Sequence, residues 1–436
     1  MKQIIIFAQL SVCFILYSGE SYRTQRASRH TLQQIKQLIT LSTQRQIEST
    51  NHGMLFDELV LQKRDPEVKR HHNELSVNDL DDYFQGDVDL SEKQAELLSE
   101  HFKSEIASNE KGDEIIRNRR SVGREPFYVR WHDKQPISYD FAESIPQETR
   151  QKIRAAIRMW EERTCIRFLE NGPNVDRIEF FDGGGCSSFV GRTGGTQGIS
   201  ISTPGCDIVG IISHEIGHTL GIFHEQARLD QNNHISINYN NIPFSRWNNF
   251  FPLSNYEADT FNLPYDAGSV MHYGPYGFAA DPHFPTITTR DRFQQYTIGQ
   301  REGPSFLDYA SVKLYLKTVL VKLSINIAYR CMEQCPPIQC DHNGYPNPNN
   351  CSKCLCPDGF AGPTCQFVQY TPCGALIKMK ILVKLKIRVE DLYLSVISDD
   401  KYFDNIFKSF EFPPNDPKIC LLLRFPVPRA FRWLFL

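Results

Sequence analysis

After its first twenty residues the sequence lacks any apolar run long enough to form a membrane-spanning helix. It also lacks an excess of charge, since 48 Lys and Arg stand against 51 Asp and Glu, a net charge of -3. Nothing in this balance argues for nucleic acid as a partner. Cysteine is missing from residues 20–120, although the 436-residue chain contains thirteen. That number is high for a cytosolic protein and indicates an oxidising compartment.

The first nineteen residues have the pattern of a secretory signal peptide. A short charged start is followed by an apolar run from Ile4 to Tyr17 and by the small residues Ser18 and Gly19. This run is shorter than the ~20 residues that a membrane span needs. We therefore expect residues 1–19 to be removed and the protein to be secreted, with no membrane span. Cys13 leaves with the signal, so an even number of cysteines remains.

The stretch from His214 to His224 contains the residues of a candidate metal site. Residues i and i+4 of a helix share a face, so His214 and His218 can bind one metal ion. Zinc accepts imidazole nitrogen as a ligand. Gly221 tolerates a positive φ, so it can end the helix and return His224 to the same ion. Three ligands leave a position for water, the layout of a catalytic zinc site, and Glu215 lies where its carboxylate can reach that water.

The longer pattern narrows the family. A bare H-E-x-x-H occurs by chance in long proteins, but the added glycine, the third histidine and the Met-turn Ser269–Tyr273 form the metzincin signature. With Glu225 directly after the third histidine, the sequence resembles the astacin family of secreted zinc endopeptidases. The resemblance runs from Trp131 to Leu307 and includes Phe84–Asp87 upstream.

The resemblance implies a role for each residue of the site. Glu215 takes a proton from the zinc-activated water and later delivers it to the leaving amine. Tyr273 matches a fifth zinc ligand that can move and donate to the oxyanion, although a packing tyrosine is the alternative. Met271 is expected as an apolar floor under the ligands. A substrate strand is expected along the edge at Ser187–Phe189.

Residues 20–120, which we call the pro-region, read as the propeptide of a zymogen. They are polar, are predicted to contain helices near Leu32–Leu41 and Ser91–Ile106, and end in the furin-type sequence Arg117-Asn118-Arg119-Arg120. The resemblance implies that Asp87, in Phe84-Gln85-Gly86-Asp87, binds the zinc of the latent proenzyme, because a carboxylate oxygen is a good zinc ligand. An ordinary acidic turn is the alternative.

Cleavage after Arg120 makes Ser121 the new N-terminus. In the family the freed amino group is buried against the glutamate that follows the third zinc histidine, here Glu225. A buried ammonium and carboxylate stabilise each other only when both are present, so cleavage could order the cleft. The alternative partner for Glu225 is Arg228 in a solvent-exposed ion pair.

The predicted fold class is α+β, a metzincin-type catalytic domain at residues 121–331 with the zinc helix in its cleft. A helix over Gln147–Arg163 is predicted from apolar residues spaced i, i+3, i+4, i+7. The zinc helix is predicted from about Asp207. Short strands are predicted at Pro136–Phe141, Ile166–Leu169, Arg177–Phe181, Phe189–Gly191 and Gly198–Ser202.

The twelve cysteines that remain include five pairs implied by the resemblance, because spacing alone cannot fix connectivity. In the catalytic domain these are Cys165 with Cys331 and Cys186 with Cys206. Six cysteines in residues 335–365 resemble an EGF-like module, with a zinc knuckle as the alternative. Its expected pairs are Cys335 with Cys351, Cys340 with Cys354, and Cys356 with Cys365. Asn350 begins the N-x-[ST] sequon and is the predicted glycosylation site.

Parts of the chain depart from the family. Leu229 and Ala267 stand where proline and tyrosine are usual. Lys313–Ile325 lengthens the path to Cys331 by about three helical turns, and similar text recurs at Ile377–Arg388. Both segments could be translated intron, a gene-model error, genuine strands or basic amphipathic segments. Residues 373–436 begin like a CUB domain but are too short for one.

The sequence thus predicts a secreted zinc-dependent endopeptidase, made as a zymogen, activated by a furin-like protease and acting on extracellular proteins. The alternative is an extracellular binding or adhesion protein with an inert protease-like domain. The intact ligand set, Glu215 and Tyr273 argue against this alternative, since an inert relative would usually have lost one of them. Protein hydrolysis that is abolished by a chelator and by Glu215→Ala distinguishes the two.

Overall fold

The structure is a computed structural model. It describes residues 23–49, 78, 83–109, 122–123, 126–132, 135–253, 258–259, 263–309, 326, 329–369, 422–423 and 434–435. The predicted signal peptide, the sequence Arg117–Arg120 and the segments Lys313–Ile325 and Ile377–Arg388 lie outside the described residues. Beyond residue 373, the described residues form two short strands, Leu422–Leu423 and Leu434–Phe435, which pair antiparallel. Among the described helices, none combines the length and apolarity that a membrane crossing requires.

The pro-region contains helix α1 (Arg29–Ser49), strand β1 (Val88–Asp89) and helix α2 (Glu92–Asn109). Both predicted helices are confirmed, and both are longer than expected. A capping box explains the start of α2, because Gln94 N donates to Ser91 Oγ and Ser91 N donates to Gln94 Oε1.

Within the predicted catalytic domain, residues 121–331, the described residues include three helices and most of the strands. The helices are α3 (Gln147–Arg163), α4 (Val209–Thr219) and the short α5 (Phe306–Tyr309). The strands are β2 (Val122–Gly123), β3 (Ile137–Phe141), β4 (Phe168–Glu170), β5 (Arg177–Phe181), β6 (Cys186–Phe189), β7 (Thr196–Ile201), β8 (Ile235–Ile237), β9 (Ala258–Asp259) and β10 (Ile287–Thr289). Short 3-10 turns include the segment Phe244–Phe250. The fold class is therefore α+β, as predicted.

One six-stranded sheet, in the order β1-β6-β7-β5-β3-β4, crosses the catalytic domain. Strand β6 runs antiparallel to β7 and the other neighbours pair in parallel, including β1 on β6. The predicted strand Phe189–Gly191 is wrong, because the strand ends at Phe189. Gly191 instead takes a φ of 72°, and its N–H donates to His218 O. The chain therefore leaves the sheet toward the zinc helix.

Helices α3 and α4 pack on one face of this sheet and form the main core. The apolar residues of α3 that were predicted to share a face, Ile153, Ala156, Ile157 and Trp160, are all buried. Trp160 Nε1 donates to Ser213 O at 3.1 Å, which joins α3 to α4. This bond fixes the position of α4 along α3. It therefore helps to position the histidines that follow Ser213.

Residues 335–369 form a small module whose strands are β11 (Tyr345–Asn347), β12 (Asn350–Leu355), β13 (Phe360–Ala361) and β14 (Phe367–Val368). The structure joins Cys335 to Cys351, Cys340 to Cys354, Cys356 to Cys365, Cys165 to Cys331, and Cys186 to Cys206, the five expected pairs. Tyr345 packs into the main core. Asn349 Nδ2 donates to the last free carbonyls of α3, at Glu161 and Glu162. The module is therefore docked on the catalytic domain.

Candidate metal centre

The three motif histidines converge because of how helix α4 ends. Gly221 has a φ of 102°, and Ile222 N donates to Gly217 O at 3.0 Å, which closes a Schellman-type turn. The turn brings His224 back beside the two helical histidines. The ring centroid of His224 lies 5.3 Å from that of His214 and 4.7 Å from that of His218. The predicted role of Gly221 is thus confirmed.

The protonation of each imidazole is set by an oxygen behind it. His214 Nδ1 lies 2.8 Å from Val270 O, His218 Nδ1 lies 2.8 Å from Ile222 O, and His224 Nδ1 lies 3.3 Å from Gln85 Oε1. A carbonyl oxygen can only accept, so each Nδ1 is the donor. In the neutral form of each ring, Nε2 therefore carries a lone pair toward the centre.

These lone pairs converge on a candidate cation site. His214 Nε2 and His218 Nε2 are only 3.1 Å apart, a repulsive contact between two lone pairs unless a cation lies beside them. Asp87 brings a carboxylate into the same place, with Oδ1 3.1 Å from His224 Nε2 and Oδ2 3.3 Å from His214 Nε2. The four possible ligand atoms lie within 4.8 Å of one another, and all four side chains are buried. Three nitrogens and one carboxylate oxygen fit a zinc ion.

Electrostatics favour the metal-binding forms of His218, His224 and Asp87. Burial lowers the pKa of His218 and of His224 despite the nearby Asp87 carboxylate. Burial alone would raise the pKa of Asp87, but the three histidines that face its carboxylate, His224 foremost, hold that pKa well below its usual range. Neutral imidazole and ionised carboxylate are the forms that bind a metal.

Glu215 and Met271 lie beside and below this centre. Glu215 follows the first ligand on α4, and its side chain is fully buried. Met271 is also fully buried, and its thioether fills the space over Gly217, where a Cβ would come within 2.7 Å of Met271 Sδ. The methionine thus lies against the helix that carries two ligands, as expected for an apolar floor.

Tyr273 lies next to the metal ligands and contacts the pro-region. Its ring centroid is 4.6 Å from that of His224, and its hydroxyl donates to the backbone carbonyl of Gln85. Gln85 has a φ of 47°, uncommon for a residue other than glycine, and Gly86 follows at 86°. This turn places the Gln85 carbonyl on Tyr273 and the Asp87 carboxylate on the histidines.

The pro-region also occupies the sheet edge where substrate was expected. Strand β1 pairs with β6 so that Val88 lies opposite Ser188 and Asp89 opposite Phe189. Asp89 is buried, accepts from Ser187 Oγ at 3.0 Å and pairs with Arg26 Nε at 2.5 Å. Burial raises the pKa of Asp89 to about 6, although Arg26 opposes the shift. The predicted substrate edge is therefore covered in this chain.

Asp308 supports the Met-turn from behind. Its carboxylate accepts from Ser269 Oγ at 2.6 Å, Val270 N at 2.9 Å and Ser305 N at 2.8 Å. Val270 O in turn accepts from His214 Nδ1. A chain of two hydrogen bonds thus connects Asp308 to His214, a candidate metal ligand.

Glu225 pairs with Arg228 in this uncut chain. Glu225 Oε1 lies 3.1 Å from Arg228 Nη1 and accepts from Asp266 N at 2.8 Å. The pair is buried rather than solvent-exposed, and burial raises the pKa of Glu225 to about 7. Ser121, its expected partner after cleavage, lies outside the described residues. The segment that follows, Val122–Gly123, pairs with β9.

Three parts of this site were not predicted from the sequence: Gln85, Asp308 and Asn78. Asn78 donates from Nδ2 to Gly86 O at 2.9 Å and to Cys186 O at 2.7 Å. Asn78 lies among acidic residues and Asp308 lies 94 positions after His214 along the chain, so spacing from the motif histidines does not place either of them at the site. Asp308 does follow a serine by three residues, which is a capping signal for α5.

Comparison with known proteins supports the same chemistry. A family model named Astacin, which describes a family of peptidases, matches residues 124–317. Zinc metalloproteinase nas-38 of Caenorhabditis elegans is 54% identical over 377 residues, which cover 86% of this chain and 48% of that protein. Zinc metalloproteinase nas-36 of Haemonchus contortus is 42% identical over 306 residues, covering 68% and 46%. This chain therefore spans about half the length of the curated relatives it matches.

Among solved structures, the chain is similar to High choriolytic enzyme 1, a hatching enzyme zinc-protease from the medaka fish Oryzias latipes. The two are 34% identical with a TM-score of 0.39, and the match covers 43% of this chain and 92% of that one.

Proposed function

Because the chain belongs to the astacin family of peptidases, we propose that it is a zinc-dependent endopeptidase made as a zymogen. The observation that carries the proposal is the set of three Nε2 lone pairs fixed by oxygens at Nδ1 and closed by Asp87. A bound zinc would supply a Lewis acid for the scissile carbonyl and lower the pKa of a water molecule toward neutrality. The substrates proposed are extracellular proteins.

The residues of the chain supply the remaining chemistry in this proposal. The Glu215 carboxylate takes the proton of the attacking water and passes it to the leaving amine. The Tyr273 hydroxyl, now bonded to the Gln85 carbonyl, donates to the oxyanion once the pro-region leaves. Met271 and Asp308 hold the ligands in position. The edge of β6 binds an extended substrate backbone.

Latency and activation follow from the pro-region. We assign residues 1–19 as a signal peptide, 20–120 as the propeptide, 121–331 as the catalytic domain and 335–365 as an EGF-like module. Asp87 is the latency ligand, and a furin-like protease cuts after Arg120. Ser121 then replaces Arg228 as a partner of Glu225. Secretion agrees with the five disulfides, and Asn350, which is exposed, is the proposed glycosylation site.

The experiment that tests the function is hydrolysis of casein by secreted residues 20–436 after cleavage at Arg120 and removal of the pro-region. We expect one zinc per chain, activity lost on chelation and restored by zinc, and no activity in Glu215→Ala. Glu302→Gln, at an exposed position, is the charge-matched control. Zinc bound without activity after complete removal of the pro-region would instead favour an extracellular binding protein.

A further inference from the structure

The pro-region shares a hydrophobic core with the catalytic domain. Leu32 and Ile35 of α1 and Leu98 of α2 belong to one buried cluster that also contains Phe223 and Trp247 of the catalytic domain. Helix α1 contacts the 3-10 segment Phe244–Phe250 as well as α2. Such a cluster depends on the contacts themselves and not on the peptide bond between the two parts of the chain.

Polar contacts fix the first described residues of the pro-region against strands β5 and β7. Arg23 Nη2 lies 2.9 Å from Glu179 Oε2, and its guanidinium lies over the Phe181 ring, 4.6 Å from the centroid. Thr24 N donates to Thr196 O at 2.8 Å, and Thr24 Oγ1 donates to Gly194 O at 2.8 Å. The pro-region therefore reaches across β7 to β5, beyond the edge strand.

Further contacts hold the segment between these two regions. Strand β1 adds to the sheet beside β6, and Gln94 Nε2 donates to Val190 O at 3.2 Å. The pro-region residues that make these contacts extend from Arg23 to α2. All of them precede Arg120 in the chain, and their partners follow it. None requires the chain to be continuous at residue 120.

We propose that the pro-region stays bound to the catalytic domain after cleavage at Arg120 and acts as a non-covalent inhibitor, so that its release is a separate step of activation. The partner of this docking surface is a segment of the same chain. The proposal rests on the zymogen function proposed above, but docking can be measured without any assay of proteolysis. A core shared by two helices and a strand resembles an obligate interface more than a transient one.

The experiment uses the secreted chain, residues 20–436, treated with furin until a denaturing gel shows complete cleavage. The cut protein is then run on a native size-exclusion column at about 1 μM, a concentration at which only a tighter complex survives. We expect both fragments in one peak in equal amounts, with hydrolysis of a peptide substrate still suppressed. Separation of the fragments, with activity appearing at once, would overturn the proposal.

Two variants separate docking from metal binding. Asp87→Asn removes the carboxylate ligand and leaves the shared core, so its fragments should still co-elute; separate fragments would show that the metal bond alone holds the pro-region. Glu179→Ala removes the partner of Arg23, which is more than half exposed, so we expect the pro-region to leave about two- to fivefold faster on dilution. An unchanged release rate would exclude this anchor from the docking surface that we propose.

Failure of the proposed function is distinguishable from failure of the docking. After the pro-region is washed from an immobilised catalytic domain with mild urea, the released enzyme should hydrolyse the peptide, and Glu179→Ala should match the wild type. Co-elution followed by an inactive released enzyme would leave the docking standing and refute the protease. Separation of the two fragments before any urea is added, with an active enzyme in the catalytic fraction, would support the protease and refute the docking.

Discussion

The side chain of Asn78 forms two hydrogen bonds with the backbone of Cys186. Its Nδ2 donates to Cys186 O and its Oδ1 accepts from Cys186 N, both at 2.7 Å. The amide thus reproduces the pair of bonds that a neighbouring strand residue would make, just before β1 takes over the edge of β6. Because Nδ2 also donates to Gly86 O, the same side chain ties the turn that carries Asp87 to the sheet.

Asn78→Ala should therefore loosen latency. Loss of three buried hydrogen bonds, which together stabilise the latent arrangement by about 1.5 kcal/mol or more, should raise the basal peptide-hydrolysis rate of the uncut chain about tenfold or more. The measurement is the ratio of initial rates before cleavage and after removal of the pro-region. Gly185→Ala tests the contact from the other side, because a Cβ there would lie 2.5 Å from Asn78 Oδ1. An unchanged ratio in both variants would contradict the role given to Asn78.

Asp87 should control the exchange of zinc in the uncut chain. Its carboxylate closes a buried set of four ligand atoms, so Asp87→Asn should speed zinc loss to a chromophoric chelator by about 10- to 100-fold. Glu92→Gln, an exposed position in α2, changes the charge of the pro-region equally and should leave the rate unchanged. Equal rates in Asp87→Asn and wild type would mean that the carboxylate is not a ligand.

Asp308 should affect zinc affinity through His214. Asp308→Ala removes the acceptor of Val270 N and Ser269 Oγ, so the carbonyl that orients His214 loses its support. We expect zinc affinity of the cut, released enzyme to fall about 10-fold or more, as for other outer-shell partners. Chelator competition measures it. Ser305→Ala leaves these two bonds in place and should bind zinc as the wild type does, which separates this effect from general damage to α5.

Gly217 should accept no side chain while Met271 is present. A Cβ would lie 2.7 Å from Met271 Sδ, so Gly217→Ala should destabilise the fold by about 1–3 kcal/mol and lower activity. Met271→Val ends at Cγ and removes the clashing atom. In the double variant, urea midpoints should recover part of the loss. If the two effects simply add, the thioether does not limit position 217.

Local sequence patterns predicted the longer helices and several of the strands. The strands that these patterns misplaced or missed depend on pairing with distant parts of the chain. Helix α3 was predicted with its observed bounds, because its apolar face repeats every turn. The strand predicted at Phe189–Gly191 lies two to three residues after the observed β6. The position of β6 depends on its pairing with β7 and on the turn at Gly191, which no local pattern shows. A two-residue strand such as β1 has too few residues to show an alternating pattern.

The cluster of four candidate metal ligands was predictable because three of them lie within eleven residues of one another. Their supports were not, because those come from distant parts of the chain. Gln85 reaches His224, and Asp308 reaches Val270. The predicted pairing of Glu225 after cleavage stays a prediction, since the uncut chain pairs it with Arg228.

The ionisation of Asp266, which is not one of the candidate metal ligands, should make the free energy of unfolding depend on pH. Burial, reinforced by the nearby Asp308, raises the pKa of Asp266 to about 6, against about 3.9 for an unfolded aspartate. The folded state therefore binds more protons than the unfolded state between about pH 4 and pH 6, and stability falls as the pH rises through this window. Above about pH 6, Asp266 is ionised in both states, and the free energy of unfolding has fallen by the full contribution of this residue, about 2–3 kcal/mol.

Asp266→Asn removes the titrating group and keeps an oxygen that can accept from Gly268 N, as Asp266 Oδ1 does. Between pH 4.5 and 6.5 its urea midpoint should change less than that of the wild type, because the metal ligands titrate equally in both and cancel in the difference. Glu302→Gln, an exposed change of the same charge, should follow the wild type. Parallel curves for wild type and Asp266→Asn would show that Asp266 ionises with an ordinary pKa, and that the bond from Ser305 Oγ at 2.5 Å offsets its burial.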